Sequence, residues 1–518
     1  MANQTIFQSM RGAWLPPGNT VNEAGGTAYA FDARHALAQY AVTGCLNSTF
    51  YASAGTQLET VLKLAVQVDD CFLAQLAVYC RERGFMKDMP ALLCAILASR
   101  NVALLEQIFD RVINDGKMLR NFVQIVRSGV TGRKSLGSAP KRLVRQWLER
   151  RDETQVFRAS VGQSPSLADV VKMVHPRPAV PAREALYGWL IGRPHQAQHL
   201  PRLVQDFEAF KAGQTSTVPD VPFQMLTALE LDEKAWAAIA ATASWQTTRM
   251  NLNTFARHGV FKNPALTDQI ANRLRNPEAV KQARCFPYQL LTAFQSAGKE
   301  VPDRVRDALQ DAMEIATQNV PEVRGRVVVC PDISGSMRSP VTGYRAGSTT
   351  ATQCIDVAAL VAACLLRKNS GAEVLPFSDD VVKCRLNSRD SVMTNAQKLS
   401  SLPSGGTNCS APLRDLNARQ EEAGLVLIVS DNMSWMDSRG GGRSPETMRQ
   451  WETFRTRNPQ ARLVCLDLQP NGSTQAQERP DILNIGGFTD SGFEIIATFA
   501  GGELNSRRWV ELIEQTTW

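Results

Sequence analysis

Residues 326–340 read RVVVCPDISGSMRSP, in which Asp332, Ser334 and Ser336 recur two apart after the β-branched run Val327–Val329. A carboxylate and two hydroxyls at the tip of a strand fit three settings: a cation site, a phosphotransfer site, or an ordinary turn, since turns are rich in Asp and Ser. Further along, Asp431 closes the apolar run GLVLIVSD, and the glycine-rich stretch SGGTNCSAPL between them presents Thr407 ahead of another helical pattern. Open α/β sheets bind ligands beyond the carboxyl ends of their strands. Asp332, Ser334, Ser336, Thr407 and Asp431 are therefore expected to converge on one rim. All five offer oxygen, a set that suits a hard cation, Mg²⁺ first, with water completing an octahedron. Hydroxyls neutralise an ion poorly, so it would stay electrophilic and accept a carboxylate or phosphate from a partner. Phosphotransfer asks for a second Asp two residues after the first, where Ser334 stands, and a covalent route asks for an activating group. The rim reads as a binding device, and no enzyme is expected.

The elements that must carry these residues differ between the two parts of the chain. From Arg326 onward, apolar runs (RVVVC, AEVLPF, GLVLIVSD, RLVCLDL, DILNIGG) alternate with helical patterns such as DVAALVAACLLRK. That alternation predicts a parallel, doubly wound sheet. Residues 35–320 instead read as helix after helix. In VALLEQIFDRVINDG, Leu105, Ile108, Phe109, Val112 and Ile113 form one apolar stripe, with Gly116 as the expected stop. In DDCFLAQLAVYCRERG, Asp69 is the expected N-cap and Gly84 the stop. A long run of helix pairs suggests stacked helical repeats. Residues 1–34, rich in Gly, Asn and Pro, read as an extended arm.

The chain of 518 residues carries a formal charge of +7, concentrated in its first part. The stretch Lys117–Arg151 holds ten basic residues and one acidic residue, Glu149. Such a concentration can attract phosphates, or it can be a solvated helical face. On a helical wheel of SLGSAPKRLVRQWLER, Leu143, Val144, Trp147 and Leu148 share the apolar side, while Lys141, Arg142 and Arg145 share another. In SPSLADVVKMVHPRP, Ser166 and Asp169 make a capping-box start and His175 closes the helix before Pro176. The eleven cysteines are scattered and never form CxxC. That pattern excludes a zinc site of that type and suits a reducing compartment. No signal-like leader is read, and the longest apolar run, Val357–Leu366, is too short to cross a bilayer. A cytoplasmic location without membrane contact is expected.

With these residues in place, two resemblances emerge. Residues 325–518 resemble a von Willebrand factor A domain, in which DISGSM, GGTNC and LIVSDN match the metal-ion-dependent adhesion site. The resemblance implies a Rossmann-like fold, with Asp332, Ser334, Ser336, Thr407 and Asp431 coordinating Mg²⁺ or another divalent cation, some through water. Residues 35–320, through CLNSTFYA, the 135–178 region and ARCFPYQLLTAF, resemble the TROVE module of the Ro60 autoantigen family, and the order of the two modules is that family's. The family is one of RNA-binding scaffolds whose TROVE module is a ring of HEAT-like helical repeats. The resemblance implies binding of single-stranded 3′ ends of misfolded RNA and of small noncoding Y RNA. It also implies tethering of an exoribonuclease such as polynucleotide phosphorylase. By position, His175 and Arg158 match residues of the Y RNA surface, with Lys141, Arg142 and Arg145 on the basic helix before them. The chain departs from the family with VGQSPSLAD, placing Gly162 at a usually basic position and Leu167 where a second His is common. The alternative function is a metal-dependent protein-interaction module without an RNA role.

Overall fold

The computed structural model describes residues 15–518, apart from 44–45, 284, 286, 319, 324, 345–351, 370, 437–443, 488–489 and 503–507. Residues 1–14 of the expected arm therefore lie outside the described residues. The chain divides into two compact units. One gathers Met1–Gln67, Cys285–Ser296 and Gln310–Ile513; the other gathers Val68–Arg284, Ala297–Leu309 and Glu514–Trp518.

The second unit is helical, as its periodicity requires. Asp69 caps the helix Asp70–Glu82 by accepting from the Phe72 amide at 2.9 Å. The helix Val102–Val112 buries Leu105, Ile108, Phe109 and Val112, the stripe read from the sequence. Gly116 does not stop that helix. It opens the next one, Gly116–Ser128, behind Asp115 as N-cap. A Cβ on Gly116 would lie 2.6 Å from both the Cβ and the carbonyl oxygen of Ala159, so the glycine serves close approach between segments. The helix Ser138–Glu149 buries Leu143, Val144, Trp147 and Leu148, and the Trp147 indole donates to the Ile113 carbonyl at 2.5 Å. Ser166 and Asp169 form the expected capping box of Leu167–Val174, and His175 ends that helix in the left-handed region at φ 49°.

The first unit is built on a five-stranded parallel sheet. Its strands are β3 (Val327–Pro331), β4 (Glu373–Val374), β5 (Leu425–Ser430), β6 (Arg462–Asp467) and β8 (Ile482–Gly486), in the order β4-β3-β5-β6-β8. Alternate residues reach opposite faces. Val328, Cys330, Val426, Ile428, Leu463 and Cys465 share one core with Leu413, Leu416, Met448, Trp451 and Phe454 from the helices Ala411–Ala418 and Glu446–Arg457. The helix Cys354–Lys368 is buried nearly all round and packs on β3 and β5. The chain leaves β3 toward β4 and then crosses back to β5 on the opposite side. The β3–β5 seam is thus the topological switch point, where such sheets open a crevice.

A second, smaller sheet belongs to the same unit. The hairpin of β1 (Thr20–Val21) and β2 (Thr27–Ala30) continues into β7 (Ser473–Thr474), with Tyr29 paired to Thr474 and Ala30 to Ser473. Part of the stretch read as an arm is thus ordered strand. Among the described residues, no helix is long and apolar enough to cross a membrane, and the cysteines are free.

Candidate cation rim and basic helical surface

The β3 and β5 tips supply the two acids. Asp332 follows β3, and its amide donates to the Val429 carbonyl at 2.9 Å, so it begins at the seam itself. One carboxylate oxygen accepts from the Ser334 amide at 2.8 Å and the other from the Ser430 hydroxyl at 2.6 Å. Ser334 and Ser336 lie with their hydroxyls 3.3 Å apart, both buried. Asp431 is also buried; the Met433 amide donates to its Oδ1 at 3.3 Å, while Oδ2 has no hydrogen-bond partner. Thr407 arrives on the glycine-rich loop and is buried as well. Its carbonyl accepts from the amides of Trp435 and Met436, and the Gly335 amide donates to the Gly405 carbonyl at 3.0 Å. The three loops are thereby laced together. Gly405 and Gly406 leave room for the Asp379 carboxylate: a Cβ on either would lie 2.1 or 2.5 Å from it, and it accepts from the Gly406 amide at 2.9 Å.

The electrostatics of this rim are those of a site short of positive charge. Burial raises the Asp332 carboxyl well above its ordinary range, and the neighbouring Asp431 raises it further, against the hydrogen bonds from Ser430 and Ser334. Burial raises Asp431 too, opposed by Ser336 and the Met433 amide. Two sequestered acids without a cationic side chain cost free energy that a bound cation would offset. The orphaned Asp431 Oδ2 and the surrounding hydroxyls match the oxygen donors that Mg²⁺ takes. No described group of three or more His, Cys, Asp or Glu forms a different metal cluster.

Sequence reasoning missed several residues around the rim. Ser430 gave no sign, because a Ser before a strand-end Asp has no motif of its own. Asp379 lies in an irregular segment. Glu23 and Tyr51 come from the N-terminal part: the Tyr51 phenol sits beside Ser336 and is pushed up to about 12 by burial first and by Asp431 second.

In the helical unit the basic residues separate into committed and uncommitted groups. Arg142 is exposed and pairs with Glu106. Arg145 donates to the Val174 carbonyl and so caps the end of the 167–174 helix. Arg158 pairs with Asp220 and bonds its carbonyl at 3.0 Å. Arg150 pairs with Asp110, and Arg151 stacks on Trp147 at 3.6 Å from the ring centre. The Lys141 side chain forms no hydrogen bond or ion pair among the described residues. His175 is exposed at its helix end. Arg127 and Lys172 both act on Asp169, whose carboxyl is held below its ordinary range first by Ser166 and then by these charges. The structure thus brings Lys141, Arg145 and His175 onto neighbouring helices, since Arg145 reaches the residue before His175. Gly162 adopts φ +105°, and a Cβ there would lie 2.5 Å from the Arg120 guanidinium. A glycine in place of a basic residue follows from that backbone.

A parallel sheet in the order β4-β3-β5-β6-β8, with an oxygen rim at its switch point, is a von Willebrand factor A domain, here joined to a helical module. Residues 326–500 match the family model of the Ro60 vWA domain. The RNA-binding protein RO60 of Deinococcus radiodurans is 25% identical over 93% of this chain and 95% of its own length. The RNA-binding protein RO60 of Caenorhabditis elegans is 24% identical over 32% of this chain and 27% of its own. The crystal structure of the Deinococcus radiodurans RO (RSR) protein superposes with a TM-score of 0.64 at 22% identity, covering 91% of this chain and all of that one. Over residues 326–500 the chain matches the Ro60 vWA domain, and along 93% of its length it is similar to an RO60 protein.

Proposed function

We propose that the protein is an RNA-binding scaffold without a catalytic step of its own. The observation that carries this reading is the similarity along 93% of the chain to a relative named as an RNA-binding protein. The uncommitted basic side chains support it. Arg127, Lys141, Lys172 and His175 lie on or at the end of the packed helices 116–128, 138–149 and 167–174, where phosphates can be neutralised without sequence readout. Arg142, Arg145 and Arg158 would contribute only after giving up protein partners. The finer reading is that small noncoding Y-like RNA binds this surface and that single-stranded 3′ ends of misfolded RNA are a second ligand. Degenerate recognition suits substrates that share a defect and not a sequence.

Asp332, Ser334, Ser336, Thr407 and Asp431 would hold Mg²⁺ or another divalent cation. When bound, such a cation supplies an electrophilic position for an acidic group of a partner protein, and an exoribonuclease such as polynucleotide phosphorylase is the proposed one. The chain's own residues do the positioning: Ser430 and the Ser334 amide orient Asp332, and the Met433 amide orients Asp431. Filter binding of structured RNA with single-stranded 3′ tails, across a salt series, tests the RNA reading. Retention that is absent, or indifferent to salt, would sink it. The second reading, a metal-dependent protein-interaction module alone, is favoured by the buried oxygen rim. It expects chelator-sensitive partner capture that survives nuclease, with no RNA retained.

A further inference from the structure

The rim's surroundings include a piece of chain from far away in sequence. The turn Asn22–Gly26 closes on itself, with the Asn22 amide donating to the Gly26 carbonyl and the Asn22 side-chain oxygen accepting from the Ala24 and Gly26 amides at 3.1 and 2.8 Å. It is also fastened down. The Asn22 amide nitrogen Nδ2 donates to the Ser434 carbonyl at 2.8 Å, three residues past Asp431. A Cβ on Gly26 would lie 2.0 Å from that same carbonyl oxygen, so only glycine permits the approach. Glu23 is the residue this turn displays. It is exposed. Its carboxyl is raised by burial and then by the charge of Asp431, and it acts electrostatically on Tyr40 and Tyr51. A second strap lies nearby: Asn47 donates to the Thr342 carbonyl at 2.8 Å, and the Tyr344 amide donates to the Ser48 carbonyl at 2.6 Å.

The turn that carries Glu23 is thus pinned three residues past Asp431, and a cation held among these acids would offset their mutual repulsion. We propose that Glu23 is the chain's own acidic ligand for the rim, occupying the position that a partner's carboxylate would take. The inference rests on the reading of the rim as a cation site and deepens it. Asp431 Oδ2, buried and unpartnered, marks the side from which a donor is missing. A tethered carboxylate competes at an effective concentration on the order of millimolar. Capture of an outside acidic group then requires the Asn22–Gly26 turn to let go, so the N-terminal hairpin acts as a closure on the rim.

Mn²⁺ is the probe for the test. Its binding to the full chain is followed by electron paramagnetic resonance of the free ion, and water exchange on the bound ion by proton relaxation. Glu23→Gln removes one charge and leaves the Asn22 and Gly26 anchors in place. It is expected to weaken Mn²⁺ binding about tenfold or more, to raise the exchangeable water on the bound ion, and to let acetate bind that ion at lower concentration than in the wild type. Asp332→Ala reports on the rim itself. If Glu23→Gln matches the wild type in affinity and water exchange while Asp332→Ala loses Mn²⁺, the role of Glu23 is overturned and the cation rim stands. If the wild type binds no Mn²⁺, the cation reading falls and the Glu23 proposal falls with it.

Discussion

The Ser430 hydroxyl donates to Asp332 Oδ2 at 2.6 Å, joining the last residue of β5 to the first residue beyond β3. This bond crosses the switch point and fixes one acid of the rim from the strand that delivers the other. Ser430→Ala leaves a buried carboxylate oxygen without its donor. It is expected to lower stability by about 1–3 kcal/mol in the presence of chelator, as measured by urea unfolding. An unchanged midpoint would show that water replaces the hydroxyl.

Asp332 and Asp431 repel each other in a buried setting, and a divalent ion would reverse that penalty. The wild type is expected to gain about 2.7 kcal/mol at a Mg²⁺ concentration a hundredfold above its Kd. Asp431→Asn is expected to be more stable than the wild type in chelator and indifferent to added Mg²⁺. Differential scanning calorimetry with and without the ion reads both; a Mg²⁺ response surviving in Asp431→Asn contradicts the assignment.

The basic residues of the 138–149 helix should not behave alike. Lys141→Ala is expected to reduce the slope of log K against log salt by about 0.7 for single-stranded RNA, the loss of one phosphate contact, with the fold unaffected. Arg145→Ala is expected to cost about 1 kcal/mol of stability, because the Val174 carbonyl loses its donor. Salt-dependent filter binding and chemical denaturation of each variant separate the two effects. Equal salt slopes for the wild type and Lys141→Ala would remove Lys141 from the surface.

Gly162 stands at φ +105° with its missing Cβ aimed at Arg120. Gly162→Lys, which restores the family's basic character, is expected to destabilise the helical unit by about 1–3 kcal/mol without tightening RNA. Tighter binding at unchanged stability would mean that the backbone relaxes away from the positive φ and the strain is absent.

Asp481 gives the acid limb of stability a local cause. Burial alone would raise its carboxyl, but Arg479, the Trp451 indole at 2.8 Å and Arg455 hold it below the ordinary range. A carboxyl lowered in the native state stabilises above its unfolded pKa, and that contribution is lost as the pH falls through the native value. Asp481→Asn is therefore expected to lower stability at neutral pH and to flatten its decline below about pH 4. Unfolding midpoints between pH 2.5 and 7 check this; parallel pH profiles for the two proteins refute it.

What was legible depended on how local the cause was. The strands were readable because Val327–Val329 and Leu425–Val429 are continuous apolar runs, each followed within three residues by a site acid. The burial of Trp147 and the cap made by Ser166 follow from spacing within one helix. The commitments of Arg142 and Arg145 did not, since a helical wheel gives a face but not the Glu106 or Val174 that meets it. Gly116 was misread as a stop because glycine serves both helix ends and close contacts. The β2–β7 pairing was invisible: both strands are very short, and their register depends on residues more than 400 positions apart.

That pairing imposes an order of events on a nascent chain. Tyr29 and Ala30 are made more than 400 residues before their partners Thr474 and Ser473. At typical rates of synthesis the first strand waits on the order of half a minute for its neighbour. During that interval β2 has an unsatisfied edge, and Asn22 has no Ser434 to hold. The turn can therefore settle beside the rim only after Asp332, Thr407 and Asp431 have all been made.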